Sequence, residues 1–187
     1  YKSGFEATTA QYNTFLGGAA GFALTTGDYN TFIGYDAGYG VVDADRVVAI
    51  GPDAGAANMT SAADGTVAIG SSALQSLTTG AGNVAVGSGS LKTEDAGVKN
   101  TAIGTLALSK QNADDGKNTA VGFHAGTAIT TAYLNTIVGA EAADELTTGI
   151  SNTVVGARAL NAADGSESRN VAIGTDCMAA VEGDSSI

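Results

Sequence analysis

A glycine returns every 17 to 19 residues along this chain, at Gly17, Gly34, Gly51, Gly70, Gly87, Gly104, Gly122, Gly139, Gly156 and Gly174. Each one closes a near-copy of a single segment, written NTFLGGAAG, NTFIGYDAG, NVAVGSGSL, NTAIGTLAL, NTAVGFHAG, NTVVGARAL and NVAIGTDCM in seven of the ten places. A fixed period of this kind marks a solenoid or an array, because one unit cannot bury its own apolar face and its neighbours must supply the cover. A chemical site would need the segment once. The repeated units are therefore read as coils of one structure.

The residue before the glycine is always a large aliphatic: Leu16, Ile33, Ile50, Ile69, Val86, Ile103, Val121, Val138, Val155 and Ile173. Two residues earlier stands Thr or Val, as at Thr31, Val48, Val67, Thr101 and Val171. Side chains alternate across a strand, so these two columns share a face, and that face is expected to line the inside of the coil. The column between them, Phe15, Phe32, Ala49, Ala68, Ala85, Ala102, Ala120, Ile137, Val154 and Ala172, then points outward. It is apolar too, and a strand apolar on both faces is buried on both. That outward column is expected to pack against another copy of the chain.

Three further features complete each coil. The third residue after the glycine is always small, from Ala20 and Ala37 through Ser90 to Ala159 and Cys177, as a bend into a narrow core requires. Four residues on, an apolar slot recurs at Leu24, Val41, Leu77, Ile129, Leu146 and Val181, and LTTG closes several coils at 24–27, 77–80 and 146–149. Coils longer than 17 residues carry Asp-Gly at 64–65, 115–116 or 164–165, so the extra residues are expected on one solvent-facing corner. Most copies begin with Asn, at positions 13, 30, 83, 100, 118, 135, 152 and 170, and a stacked ladder of side-chain amides is expected there, broken by Val47 and Thr66.

The frame covers 1–187 as a single solenoid domain: Ser3 and Gly4 fall in repeat slots, and Ile187 lies 17 residues after Asn170. Uncapped ends are expected, as in a piece of a longer fibre or a subunit stacking end on end. A Gly-rich chain invites a disordered reading, but 44% hydrophobic residues in regular slots oppose it, and no three-residue glycine period suggests collagen. The formal net charge of −11 disfavours nucleic acid and anionic membranes as partners. No apolar run is long enough to span a bilayer as a helix, so no membrane insertion is expected. The single cysteine forms no intrachain disulfide.

The N-[TV]-x-[IV]-G-x-x-A pattern, repeated over the whole chain, resembles the NTAIG repeats of phage tail fibres and the head repeats of YadA-type trimeric autotransporter adhesins. The resemblance implies a left-handed parallel β-roll, three chains around a common axis, and an extracellular, cell-surface or virion setting. Coil length is nearer the phage type, and the neck, stalk and membrane anchor of the adhesins are absent from the sequence.

Candidates for chemistry are few. His124 falls in a variable column with Asp36, Asp53, Ser72, Arg158 and Asp176, beside no Ser or Cys that would complete a triad. Cys177 takes the small inward slot, which suits a buried thiol better than a nucleophile. The Asp-rich corners DAD, ADG and ADDG lack the spacing of known calcium loops and read as solvated turns. No catalytic, cofactor-binding or metal-binding residue is therefore expected, no cofactor, and no enzyme activity. An ice-binding face would need an outward array of Thr, whereas Thr is placed here inside the coil.

Nine of the 11 aromatic residues lie in the first 39: Tyr1, Phe5, Tyr12, Phe15, Phe22, Tyr29, Phe32, Tyr35 and Tyr39. They are expected to fill a wider core at one end or the seam between copies, and more sharply to form a junction that Tyr35→Ser with Tyr39→Ser would weaken. A carbohydrate-binding patch is a third reading. Together these features describe an all-β parallel solenoid of about ten coils, and with the resemblance they imply a fibre-forming homotrimeric rod for attachment. The alternative is a filament subunit polymerising end to end. A host-surface receptor or glycan is the expected outside partner.

Overall fold

Every coil contributes one short strand. The computed structural model describes residues 2–161 and 165–178. Its strands are β1 Thr14–Leu16, β2 Thr31–Ile33, β3 Val48–Ile50, β4 Val67–Ile69, β5 Val84–Val86, β6 Thr101–Ile103, β7 Thr119–Val121, β8 Thr136–Val138, β9 Thr153–Val155 and β10 Val171–Ile173. They form one ten-stranded sheet in sequence order, every neighbour parallel, which is a β-solenoid of about nine turns. The register follows the repeat: Thr31 pairs with Val48, Phe32 with Ala49 and Ile33 with Ile50, and each later pair keeps the same offset. The structure thus confirms the coil, the strand position and the small slot, where Ala20, Ala37, Ala54, Ala73, Ser90, Ala107, Ala125, Ala142 and Ala159 are fully buried. The apolar slot beyond it is inward as well at Leu24, Val41, Leu77, Ile129 and Leu146, while Val181 lies outside the described residues.

One expectation is reversed. The middle strand residue points into the coil, and Phe32, Ala49, Ala68, Ala85, Ala102, Ala120, Ile137, Val154 and Ala172 have no exposed surface. The flanking Thr/Val and aliphatic columns point outward. Period two divides a strand into two faces but does not say which is inside, and both faces here are apolar. Size decides it. The coil is narrow, so its inner column is mostly Ala, with larger residues only at Phe15, Phe32, Ile137 and Val154, while a large aliphatic stands at every place in the outer column before the glycine.

The two Phe residues of that inner column are met by glycine in the facing slot, Gly21 for Phe15 and Gly38 for Phe32. Where the strand carries Phe32, the fourth residue past the glycine is Gly38, and a Cβ there would sit 2.7 Å from the Phe32 ring. In strands that carry Ala68, Ala85 or Ala102, the same position holds Leu74, Leu91 or Leu108, all fully buried. In these coils volume is exchanged between facing slots, and where both are small, as with Ala49 and Gly55, Met59 reaches in to fill the space.

The Asn ladder exists, but its main partner is backbone. The N–H of Asn30 donates to Oδ1 of Asn13 (2.7 Å), and that of Asn100 to Oδ1 of Asn83 (2.9 Å). The Nδ2 of Asn30 donates to the Ala44 carbonyl (2.9 Å) and that of Asn118 to the Ala132 carbonyl (2.7 Å). Amide-to-amide bonds occur from Asn135 to Asn118 and from Asn152 to Asn135. Asn13, Asn30, Asn83, Asn118, Asn135 and Asn152 thus tie their own coil shut and join it to the next, satisfying backbone groups that would otherwise be buried unpaired. Asn100 makes only the link to the next coil. The Val47 N–H donates to Asn30 Oδ1, but Val47 has no side-chain amide to pass the link on, and the Thr66 hydroxyl donates to the Ala63 carbonyl instead.

Two more ladders run up the corners. Asp28 N–H donates to Asp45 Oδ1 (2.7 Å), and Asp45 N–H to Asp64 Oδ1 (2.8 Å). The Thr of the LTTG bend donates to the next coil, Thr25 Oγ1 to the Val42 carbonyl and Thr78 Oγ1 to the Asp95 carbonyl, each at 3.0 Å. Extra residues of the 19-residue coil form a short 3-10 turn at Ser61–Ala63, with exposed Ser61, Ala62 and Gly65. Asp114 and Asp115 are likewise exposed, as the corner reading requires, and Asp164 lies outside the described residues.

Candidate functional site

The outward strand face is the most extended surface feature of the rod. Its aliphatic column runs from Leu16, 65% exposed, through Ile103, Val138 and Val155 to Ile173, 65% exposed, with Ile33, Ile50, Ile69, Val86 and Val121 half-buried between. Beside it runs Thr14, Thr31, Val48, Val67, Val84, Thr101, Thr119, Thr136, Thr153 and Val171. Neither column contains a charged residue. A contiguous exposed apolar strip is the kind of surface that marks an interaction face, and covering its exposed aliphatic residues yields on the order of 1–2 kcal/mol each. The outward Thr residues also remove the reason given above for setting aside ice binding, since that reason placed them inside.

Charge lies elsewhere. Arg158 meets Asp176 of the next coil through two bonds, Nε to Oδ1 at 2.7 Å and Nη2 to Oδ2 at 2.9 Å. That fork lowers the pKa of Asp176, the hydrogen bond being the larger cause. Lys117 pairs with Asp115 on the corner of the adjacent turn.

At the beginning of the chain the aromatic residues separate into two groups. Phe15 and Phe32 belong to the core. Outside, Phe5, Phe22 and Tyr39 stack in series, with ring centroids 5.4 and 5.1 Å apart, and Tyr12 stacks on Tyr29 at 4.9 Å. Among the described aromatics, then, Phe32 is enclosed in the core and Phe15 packs against it, while the stacked rings lie outside. Next to the outer stack is an open notch of about 700 Å³. Its floor is Gly18 and Ala19, and Tyr35 and Asp36 of the following coil form one wall. Partial burial, and then the neighbouring Asp53 carboxylate, raise the pKa of Asp36, opposed by a hydrogen bond from Tyr35.

A polar cluster in the interior was missed in the sequence. The inward apolar slot is taken in two consecutive coils by Glu94 and Gln111, both fully buried. Glu94 Oε1 accepts from the Gly97 N–H (2.7 Å), but Glu94 Oε2, Asn100 Nδ2 and Gln111 Nε2 have no partner. The signal was present as a Glu at the seventh place after Gly87, where most other coils have Leu, Val or Ile. Burial raises the Glu94 pKa above its ordinary 4.5, with backbone hydrogen bonds from Gly97 and its neighbours opposing. A raised folded-state pKa stabilises the fold fully in acid, and the contribution is lost as pH rises through that raised value. Glu94→Gln, which keeps the acceptor and cannot ionise, should therefore melt higher than the parent at pH 8, by roughly 3 °C for each 1 kcal/mol recovered. The difference should vanish in acid. Calorimetry of both chains across pH checks it, and a gap independent of pH would refute it.

His124 is half-buried and stacks on Phe123 with centroids 4.0 Å apart. Cys177 is half-buried against the end of the core rather than enclosed. Among the described residues no group of three or more His, Cys, Asp and Glu comes together as a metal site, and no helix is long and apolar enough to cross a membrane. No family model, curated protein or solved structure matches the chain.

Proposed function

We propose that this chain is a fibre-forming segment of an extracellular or virion appendage, a phage tail-fibre shaft or a bacterial surface adhesin. In it three copies pack around a common axis and hold a rigid rod for attachment, each wound as a left-handed roll. The observation that carries the reading is the uncharged outward column from Leu16 to Ile173. Each strand is already sealed on its inner face, so covering the outer face completes the burial that its composition on both sides demands. The seam is the aliphatic face rather than the Ala column. Parallel strands stack about 4.8 Å apart, so ten coils make a rod about 48 Å long.

Small-angle X-ray scattering tests this shape. A cross-section of three chains and a length near one chain's rod is the expected result. The cross-section of a single chain would overturn the reading. Scattering from a rod that lengthens with concentration would instead establish a subunit polymerising end to end.

A further inference from the structure

The notch near the start of the chain arises from a lapse in side-chain size. In the column two places after the repeat glycine, successive coils carry Lys2, Ala19 and Asp36, and in the column before it Gly18 is followed by Tyr35. One coil thus has almost no side chain at two adjacent outward positions, and its backbone becomes a floor. The Tyr35 ring leans over that floor, since a Cβ on Gly18 would stand 3.3 Å from its Cδ2. The nearly parallel Phe22 and Tyr39 rings, 8° between planes, close the side. Lys2 stands at the opposite end, its ammonium 4.9 Å from the Phe5 ring centre.

Lys2 and Asp36 are two coils apart, about 9.6 Å along the stack at about 4.8 Å per strand. They make no ion pair with each other or with any other described residue. The backbone spacing between them, over a notch that both residues line, is on the scale of one six-membered ring with its hydroxyl groups. An occupant must offer an apolar flat side to exposed Tyr35 and Tyr39, 65% and 41% exposed, and hydroxyl groups to a carboxylate, an ammonium and two phenols. A lipid or hydrophobic peptide would strand those polar groups. An acidic ligand would meet a chain of net charge −11. A pyranose has a C–H face for the ring and a hydroxyl rim for the ends.

We propose that the notch binds a neutral hexopyranose unit, with Tyr35 and Tyr39 against the sugar's C–H face, Asp36 accepting from its hydroxyls and Lys2 donating to them. The rod would then carry a lateral sugar site on each copy. The biological sense rests on the attachment role proposed above, but the binding belongs to one protomer and is independent of assembly.

Saturation-transfer NMR with the methyl glycosides of glucose, galactose and mannose at millimolar concentration tests it, on the full chain and on Asp36→Asn and Tyr39→Ala, with native mass read in parallel. The expected result is transfer to at least one glycoside, weakened about tenfold in each variant at unchanged mass, the loss of about one charge-assisted hydrogen bond or stacking contact. No transfer from any of the three overturns the proposal, as does transfer that survives both substitutions. A fall in assembled mass in the variants also overturns it, and assigns the notch to contact between copies. A monomeric chain that still binds the sugar would contradict the three-copy rod and leave this site standing.

Discussion

Replacing Gly70 by Ala should unfold the rod locally and lower its stability by about 3 kcal/mol or more. Gly70 has φ +128°, a conformation open to glycine alone, and an added Cβ would lie 2.6 Å from both the carbonyl carbon and the oxygen of Gly87. Forced backbone strain alone costs about 1–3 kcal/mol, and the clash comes on top because neither backbone can retreat. Both glycines are pinned to the preceding strand, Gly70 N–H to the Ile50 carbonyl and Gly87 N–H to the Ile69 carbonyl, each at 2.7 Å. In a stacked array that contact is the coupling between neighbours, so its loss should split one cooperative transition into two. Gly65→Ala is the control. Its φ is +71° but nothing lies within 4 Å of the added Cβ, so only a strain of about 1 kcal/mol is expected. Chemical denaturation followed by circular dichroism compares the two, and equal losses would refute the role given to the repeat glycine.

The second large effect concerns assembly. Ile69→Lys combined with Val86→Lys places two charges at the middle of the outward aliphatic column, which is otherwise uncharged. Burying an unpaired ammonium costs several kcal/mol per site, and in the proposed three-chain rod that cost would be repeated around the axis. The substituted chain should sediment as a monomer with its circular dichroism preserved, because both side chains point away from the coil's own core. Ala68→Lys, next to Ile69 on β4 but facing inward, should abolish folding, since Ala68 has no exposed surface. An assembled Ile69→Lys, Val86→Lys chain would show that the seam lies elsewhere.

Much of this was legible in the sequence. Period, strand position, small slot and inward aliphatic slot follow from residue spacing, because stacking forces each coil to repeat its neighbour. The direction of the strand was not legible. Thr31, Phe32 and Ile33 are compatible with either face inward, and the choice depends on the space across the coil, which Gly38 supplies to Phe32 and which Leu74 takes up opposite Ala68. That compensation links slots six residues apart and becomes visible only when coils are compared pairwise. The same error in direction put the Thr column inside. The Asn column was found, but not its partners, since a ladder of amides and a ladder of amide to backbone leave the same trace in a sequence. Glu94 and Gln111 escaped because a slot is recognised by its usual occupant, and they break it. The notch was half legible: the cluster of aromatics is plain, but its cavity comes from what Gly18 and Ala19 lack.

Native mass in solution, by light scattering coupled to size exclusion, tests the central claim most directly, that each strand is sealed inward by its own coil and outward by other copies. The account predicts a discrete particle of three 18.3 kDa chains. A stable monomer, with the column from Leu16 to Ile173 left in water, would contradict it.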